Sequence, residues 1–168
     1  MNKLNRQQFM LKLSEARISK RLIGNLKFTE EIDWQDAEMI AIADMSGNEG
    51  VLLIDVNDLT VLPYELRKRL GNQQGKLRSV ICDLCLTWQA PGKAAQITFR
   101  RKSDRHSFTY LCCADLQCSR HVRGKTPEAE LSKTQIKEDI DVEHRIERLQ
   151  EKLNKLIATL AGEKSEGL

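Results

Sequence analysis

Five cysteines carry the most specific chemical signal in this sequence, and all fall between residues 82 and 118: Cys82, Cys85, Cys112, Cys113 and Cys118. Cys82-Asp83-Leu84-Cys85 is a C-x2-C knuckle. Two intervening residues let both sulfurs face one metal ion, while backbone amides help neutralise the thiolates. The run Cys112-Cys113-Ala114-Asp115-Leu116-Gln117-Cys118 offers a second pair. A closed structural zinc site takes four ligands in a tetrahedron, and Cys82, Cys85, Cys113 and Cys118 supply them with one cysteine left over. The odd count argues against a disulfide framework. A thioredoxin-like redox pair would need a βαβ setting and no second cysteine pair. Four thiolates also fill the shell, which leaves no position for a catalytic water. The pattern therefore predicts one structural Zn2+ per chain. His106, His121 and His144 are the other possible nitrogen donors. His121 is the nearest, three residues after Cys118, and reads instead as a basic surface residue.

The choice between the two adjacent cysteines rests on local structure. Ser107 to Cys112 reads as a strand, and Ala114-Asp115-Leu116 as the start of a helix. The last residue before such a turn is the usual place for a third ligand, which selects Cys113. Cys112 then points to the opposite strand face and packs as a small buried hydrophobe.

Around these cysteines the elements follow from hydrophobic spacing. Asn5-x-x-Gln8 has capping-box form and precedes Phe9, Leu13 and Ala16, predicting a helix over 6–17, with a further turn at Ser19 to Leu22. Residues 24–37 read as acidic and irregular, with Trp34 covering the core. Residues 38–44 and 50–56 read as strands joined by the turn Ser46-Gly47-Asn48-Glu49, a hairpin. Pro63 to Leu70 admits either a short strand or a helical turn, and 71–75 is a polar connection. Ala95, Ile97 and Phe99 alternate with polar residues up to Lys102. With the return strand from Ser107 they make a second hairpin between the two cysteine pairs. Knuckle, hairpin and short helix is the order of a treble-clef zinc finger, and Gly124 and Pro127 are expected to end its helix. Val142, Ile146, Leu149, Leu153, Leu156 and Leu160 form one stripe, predicting a helix over 142–161 capped by Asp141 and docked on its own domain. The fold class is thus α+β, with antiparallel hairpins, a short N-terminal helix and a long C-terminal helix.

With 168 residues, one domain is expected. Its sections are an N-terminal helix and hairpin (1–77), a finger (78–127) and a terminal helix (140–161). No apolar run approaches the roughly 18 residues of a membrane helix, and the N-terminus lacks the apolar stretch of a secretory signal. A cytoplasmic monomer is the expectation. The net charge of +3 hides a polarised distribution. Residues 1–63 and 126–168 each carry −3, whereas 64–125 hold thirteen Lys or Arg against four Asp or Glu. A basic block that coincides with the cysteines points to an acidic protein face or a nucleic acid. Arg100, Arg101, Arg105 and Arg123 are the charged candidates for that contact, with Phe108 and Tyr110 either anchoring it or packing the finger's core.

Cys82-Asp-Leu-Cys-Leu-Thr, the basic hairpin, and Tyr110-Leu-Cys-Cys-Ala-Asp-Leu-Gln-Cys-Ser-Arg-His-Val-Arg-Gly-Lys125 together resemble the C-terminal treble-clef zinc finger of elongation factor G-binding proteins, the FusB-type fusidic acid resistance family. The strong part of the resemblance covers about residues 78–127. It puts the family's third and fourth zinc ligands on Cys113 and Cys118. It implies binding to elongation factor G, and release of that factor from a stalled ribosome. Longer members carry an N-terminal helical bundle, for which only a short helical segment stands here.

Two further function classes compete. A nucleic-acid-binding zinc protein would use Arg100, Arg101, Lys102, Arg105, Arg120, Arg123 and Lys125 on phosphates, with Phe108 or Tyr110 stacking on bases. An enzyme finds no support, since no Ser-His-Asp grouping, phosphate-binding Gly-rich loop or H-E-x-x-H motif is present.

Overall fold

A computed structural model describes residues 1–29, 32–68, 79–101, 103–104, 106–126 and 139–162. Helix α1 (Arg6–Glu15) begins at the expected capping box. The Asn5 side chain accepts from the Gln8 amide at 2.9 Å, and the Gln8 side chain accepts from the Asn5 amide at 3.0 Å. It ends two residues earlier than the apolar spacing suggests. Arg17 turns left-handed at φ 53°, which lets the Ile18 amide reach back to the Leu13 carbonyl at 3.0 Å and closes the helix. Helix α2 (Lys20–Asn25) follows, capped by Ser19. Trp34 is buried, as expected of a core cover.

Strands β1 (Met39–Ala43) and β2 (Glu49–Asp55) form the predicted hairpin. Its turn is closed by the Asp44 carboxylate, which accepts from the Asn48 and Glu49 amides and the Ser46 hydroxyl. The described part of the ambiguous stretch joins a strand that starts earlier than foreseen, β3 (Leu59–Arg67), while residues 69–75, with the expected polar connection, lie outside the described residues. Leu59 and Val61 turn to one side of it, and Leu62, Tyr64 and Leu66 to the other, which is strand periodicity. Pro63 lies where β3 pairs with β2 alone, outside the short stretch paired with its other neighbour.

The zinc-knuckle region makes a separate two-stranded ribbon, β4 (Val80–Ile81) with β5 (Trp88–Gln89). Strands β6 (Ala94–Arg100) and β7 (Ser107–Cys113) form the second predicted hairpin. Glu65, Leu66 and Arg67 of β3 pair with Thr98, Ile97 and Gln96 of β6, so both hairpins belong to one antiparallel sheet of order β1-β2-β3-β6-β7. Helix α3 (Cys118–Val122) starts four residues later than expected. Asp115 folds a side-chain turn onto the Gln117 amide at 3.0 Å and Leu116 adopts φ 56°, so the segment after Cys113 cannot be helical. Gly124, at φ 68°, ends α3 as predicted, whereas Pro127 lies outside the described residues. Helix α4 (Val142–Ala161) has the predicted bounds, with the Asp141 side chain accepting from the His144 amide at 2.9 Å.

Alternation along the strands splits the apolar residues between two sides of the sheet. Val51, Leu53, Ile40, Ile42 and Val61 face α1 and α2 through Phe9, Leu13 and Leu22. Leu52, Ile54, Tyr64, Leu66, Ile97 and Phe99 face the finger and α4, where Leu149, Leu153 and Leu156 are buried. The unbroken run Val51-Leu-Leu-Ile54 is therefore a strand covered on both faces. The stripe on α4 is spent within the molecule.

Candidate metal centre

The four predicted ligands meet at one point, between the knuckle, the end of β7 and the start of α3. The Cys82 and Cys118 sulfurs are 3.8 Å apart, the Cys85 and Cys113 sulfurs 3.5 Å, and all four lie within 4.8 Å of one another. With metal–sulfur bonds of about 2.3 Å, the edge of a tetrahedral thiolate site is about 3.8 Å. The sulfurs thus form a cage of the right size for a tetrahedral ion, and all four cysteines are buried. Cys112 is buried outside the cage, opposite Ala95 on the strand face that carries Ile97 and Phe99, where burial pushes its thiol up.

Each ligand is held by backbone geometry. In the knuckle, the Leu86 amide bonds the Cys82 carbonyl at 2.9 Å, the Cys82 amide bonds the Thr87 carbonyl at 3.1 Å, and Leu86 takes φ 56°. The Cys85 amide points at the Cys82 sulfur, 3.5 Å away. Asp83 fastens the knuckle to β7: its amide donates to the Leu111 carbonyl at 2.8 Å, and its carboxylate accepts from the Leu111 amide at 2.6 Å. That clasp lies two residues before Cys113 and sets the distance between the two ligand pairs. Ser119, beside Cys118, accepts from the Glu38 and Met39 amides at 3.0 and 3.1 Å, anchoring α3 to the start of β1.

The electrostatics suit a cation. Hydrogen bonding from Cys113, then from Cys118 and Cys82, holds the Cys85 thiol well below its usual range. Contact with Cys113, then with Cys82 and Cys85, drives Cys118 up. Four crowded sulfurs cannot all ionise against one another, and a bound divalent ion is what allows a closed shell of thiolates.

His121 is not the surface residue that the sequence suggested. It is buried one helical turn beyond Cys118, on the same side of α3. Its Nδ1 lies 3.1 Å from the Cys113 sulfur and its Nε2 3.2 Å from the Asp115 carboxylate. Burial lowers its pKa, but Asp115 and the Cys85 sulfur outweigh that and raise it to about 9. The i,i+3 spacing from Cys118 was the available signal.

The candidate partner-binding residues divide. Arg100 is largely exposed and pairs across strands with Glu65 at 2.8 Å. Arg101 binds Asp104 at 2.9 Å and lies over the Phe108 ring, 4.8 Å from its centre. Phe108 is half-buried beneath it. Tyr110 is half-buried too, and meets the Phe99 ring edge-on at 6.3 Å between centroids. Arg123 is taken up inside the fold, where it grips both carboxylate oxygens of Glu38 at 2.6 and 2.9 Å. Arg105 lies outside the described residues. Arg120 and Lys125, beside the metal centre, are exposed.

A zinc knuckle, a β-hairpin and a short helix sharing four cysteines define a treble clef, and the family model of the FBP C-terminal treble-clef zinc-finger matches residues 14–160. The chain belongs to that family. The match takes in α2, the whole five-stranded sheet and nearly all of α4, well beyond the finger itself. Neither the curated proteins nor the solved structures yield a match. Among the described residues no helix is long and apolar enough to cross a membrane.

Proposed function

We propose that this chain is a non-enzymatic, zinc-stapled adaptor that binds elongation factor G and modulates its release from the ribosome. The observation that carries this reading is the treble-clef match over 147 residues, joined to a basic middle that presents exposed Arg120 and Lys125 close in sequence to the last cage cysteine and exposed Arg100 at the far end of the β6–β7 hairpin. Zinc is the ion favoured by a tetrahedral all-thiolate set in a treble clef, one per chain on Cys82, Cys85, Cys113 and Cys118. Its contribution is to staple the finger, because four sulfurs leave no open coordination position for substrate. The chain's own residues then do the binding. Guanidinium groups on a rigid frame present fixed donors to carboxylates. The β3–β6 pairing makes the N-terminal meander and the finger one sheet, so the chain acts as one unit. Such a protein works as a monomer in the cytoplasm, where its target resides.

Titration of the zinc-loaded protein with purified elongation factor G tests this. One-to-one binding with modest salt dependence is the expected result. Absence of binding to the factor, together with tight RNA binding that weakens steeply with salt, would replace the proposal with a nucleic-acid function.

A further inference from the structure

The four ligands are not held alike. Cys82 receives a backbone amide, but among the described residues the Cys113 sulfur has one hydrogen-bond partner that is not another cysteine, His121 Nδ1 at 3.1 Å. The imidazole is almost wholly enclosed, with its side chain 1% exposed. Its other nitrogen is 3.2 Å from Asp115, and Asp115 is itself fixed by the Gln117 amide at 3.0 Å. A chain of contacts therefore runs from the turn after β7 through a carboxylate and an imidazole to one sulfur of the cage. Nδ1 makes the ring's one hydrogen bond among the described residues, while Nε2 is held near the Asp115 carboxylate by charge without an aligned hydrogen bond, and the ring can rotate only by leaving both.

From this we infer that His121, oriented by Asp115, is a positioning residue of the metal centre, donating a hydrogen bond from Nδ1 to the Cys113 sulfur and holding that ligand on the ion. The inference rests on the reading that the four cysteines bind zinc. Carboxylate–imidazole pairs commonly tune metal sites by orienting a ligand; here the imidazole is the orienting group and a thiolate the ligand. A hydrogen bond to a thiolate draws charge from the sulfur without removing it from the metal, so Cys113 reacts less readily with electrophiles while it stays coordinated. Because Cys113 closes β7 and Cys118 opens α3, loss of Cys113 from the ion would free the turn between them.

The test uses the full chain loaded with zinc. Metal release to a chromogenic chelator is timed in the unmodified protein and in His121→Leu, His121→Asn and Asp115→Asn. Limited alkylation with mass spectrometry then identifies the first cysteine modified. His121→Leu should release zinc about 10–100-fold faster, with Cys113 modified first. His121→Asn, whose amide can reach the position of Nδ1, should restore much of the retention, and Asp115→Asn should fall between. The cobalt-substituted forms should differ in their sulfur-to-metal charge-transfer bands, a signature that a packing role would leave unchanged. If His121→Leu does not fold, the Asn variants decide the matter by the same readings. Zinc retention and alkylation order unchanged in the variants, with stoichiometric zinc in the parent, would overturn the role of His121 alone. A parent that binds no zinc would overturn the metal reading and this inference with it.

Discussion

Arg123, at the end of α3, clasps Glu38, at the entry to β1, through both carboxylate oxygens at 2.6 and 2.9 Å. The two residues are 85 positions apart in sequence, and their side chains are 15% and 7% exposed. With the Ser119 hydroxyl on the Glu38 and Met39 amides, this pair fixes the finger's helix to the first strand of the sheet. Burial raises the Glu38 pKa, but the Arg123 bond, the backbone and Ser119 outweigh burial and leave it below its usual value. A depressed folded-state pKa means stability that is present above the unfolded value of about 4.3 and lost as pH falls through the folded one. Glu38→Ala should cost about 3–5 kcal/mol near neutral pH, since it strands a half-buried guanidinium. The gap between this variant and the parent in urea unfolding should narrow as the solution is acidified below about pH 4. A gap independent of pH would show that Glu38 acts by packing.

Removing the metal should unfold the finger. Zinc supplies about 10–16 kcal/mol of apparent binding energy in finger peptides, more than the net stability of most small domains. Cys113→Ser should abolish stoichiometric metal and open the region around residues 80–125, read as hydrogen exchange of the β4, β5 and α3 amides. Cys112→Ser should keep the metal and lose only core packing. Full zinc content in the Cys113 variant would refute the ligand assignment.

Gly50 is where β2 is crossed by a side chain. A Cβ at this position would press on the Ile42 carbonyl and stand 2.6 Å from the Tyr64 hydroxyl oxygen. Backbone on one side and a buried ring on the other leave no room to yield. Gly50→Ala should destabilise by about 1–3 kcal/mol, seen as a lower urea midpoint with an unchanged slope. Gly124→Ala meets no atom within 4 Å, and its cost comes from its positive φ alone.

How far these features were legible in the sequence follows the span of the interactions. The knuckle, the capping box at Asn5, the α4 stripe and the second hairpin are set by residues within a few positions of one another, and all were readable. Choosing Cys113 over Cys112 also needed only local information, its place as the last residue before the turn that leads to α3. The clasp of Asp83 on Leu111, the anchoring of β1 by Ser119 and the Glu38–Arg123 pair join residues 28 to 85 apart, where spacing carries no signal. The N-terminal strands and the finger form one sheet because β3 runs on to Arg67 and reaches β6, and a Pro63 in mid-strand hid that. His121 was misjudged because charge was weighed before its turn on the helix.

The buried stripe on α4 makes a quantitative case. Leu149 and Leu153 are fully buried against the sheet side that carries the cage. Leu153→Ala should lower stability by about 2–5 kcal/mol, while an exposed change such as Lys152→Ala should be nearly neutral. Truncation before Asp141 should expose the same apolar floor and produce self-association at high concentration, measured by light scattering. A monomeric truncated chain with the parent's melting temperature would show that the stripe serves another purpose.

The arginines of the finger separate binding from folding. Arg100 stands 69% exposed on β6, tied among the described residues only to an exposed Glu65, and exposed pairs of this kind contribute at most about 1 kcal/mol. Arg123 is committed to Glu38 inside the fold. Charge reversal should therefore have opposite signatures at the two positions. Arg100→Glu should leave metal content and melting temperature unchanged while weakening the proposed one-to-one complex with elongation factor G, chiefly by slowing association. Arg123→Glu should destabilise the protein before any partner is added, by setting two carboxylates against each other beside α3. Surface plasmon resonance with differential scanning calorimetry on both variants measures this. If Arg100→Glu binds the factor with the parent's rate constants, the contact surface lies away from β6, and exposed Arg120 and Lys125 become the next positions to reverse.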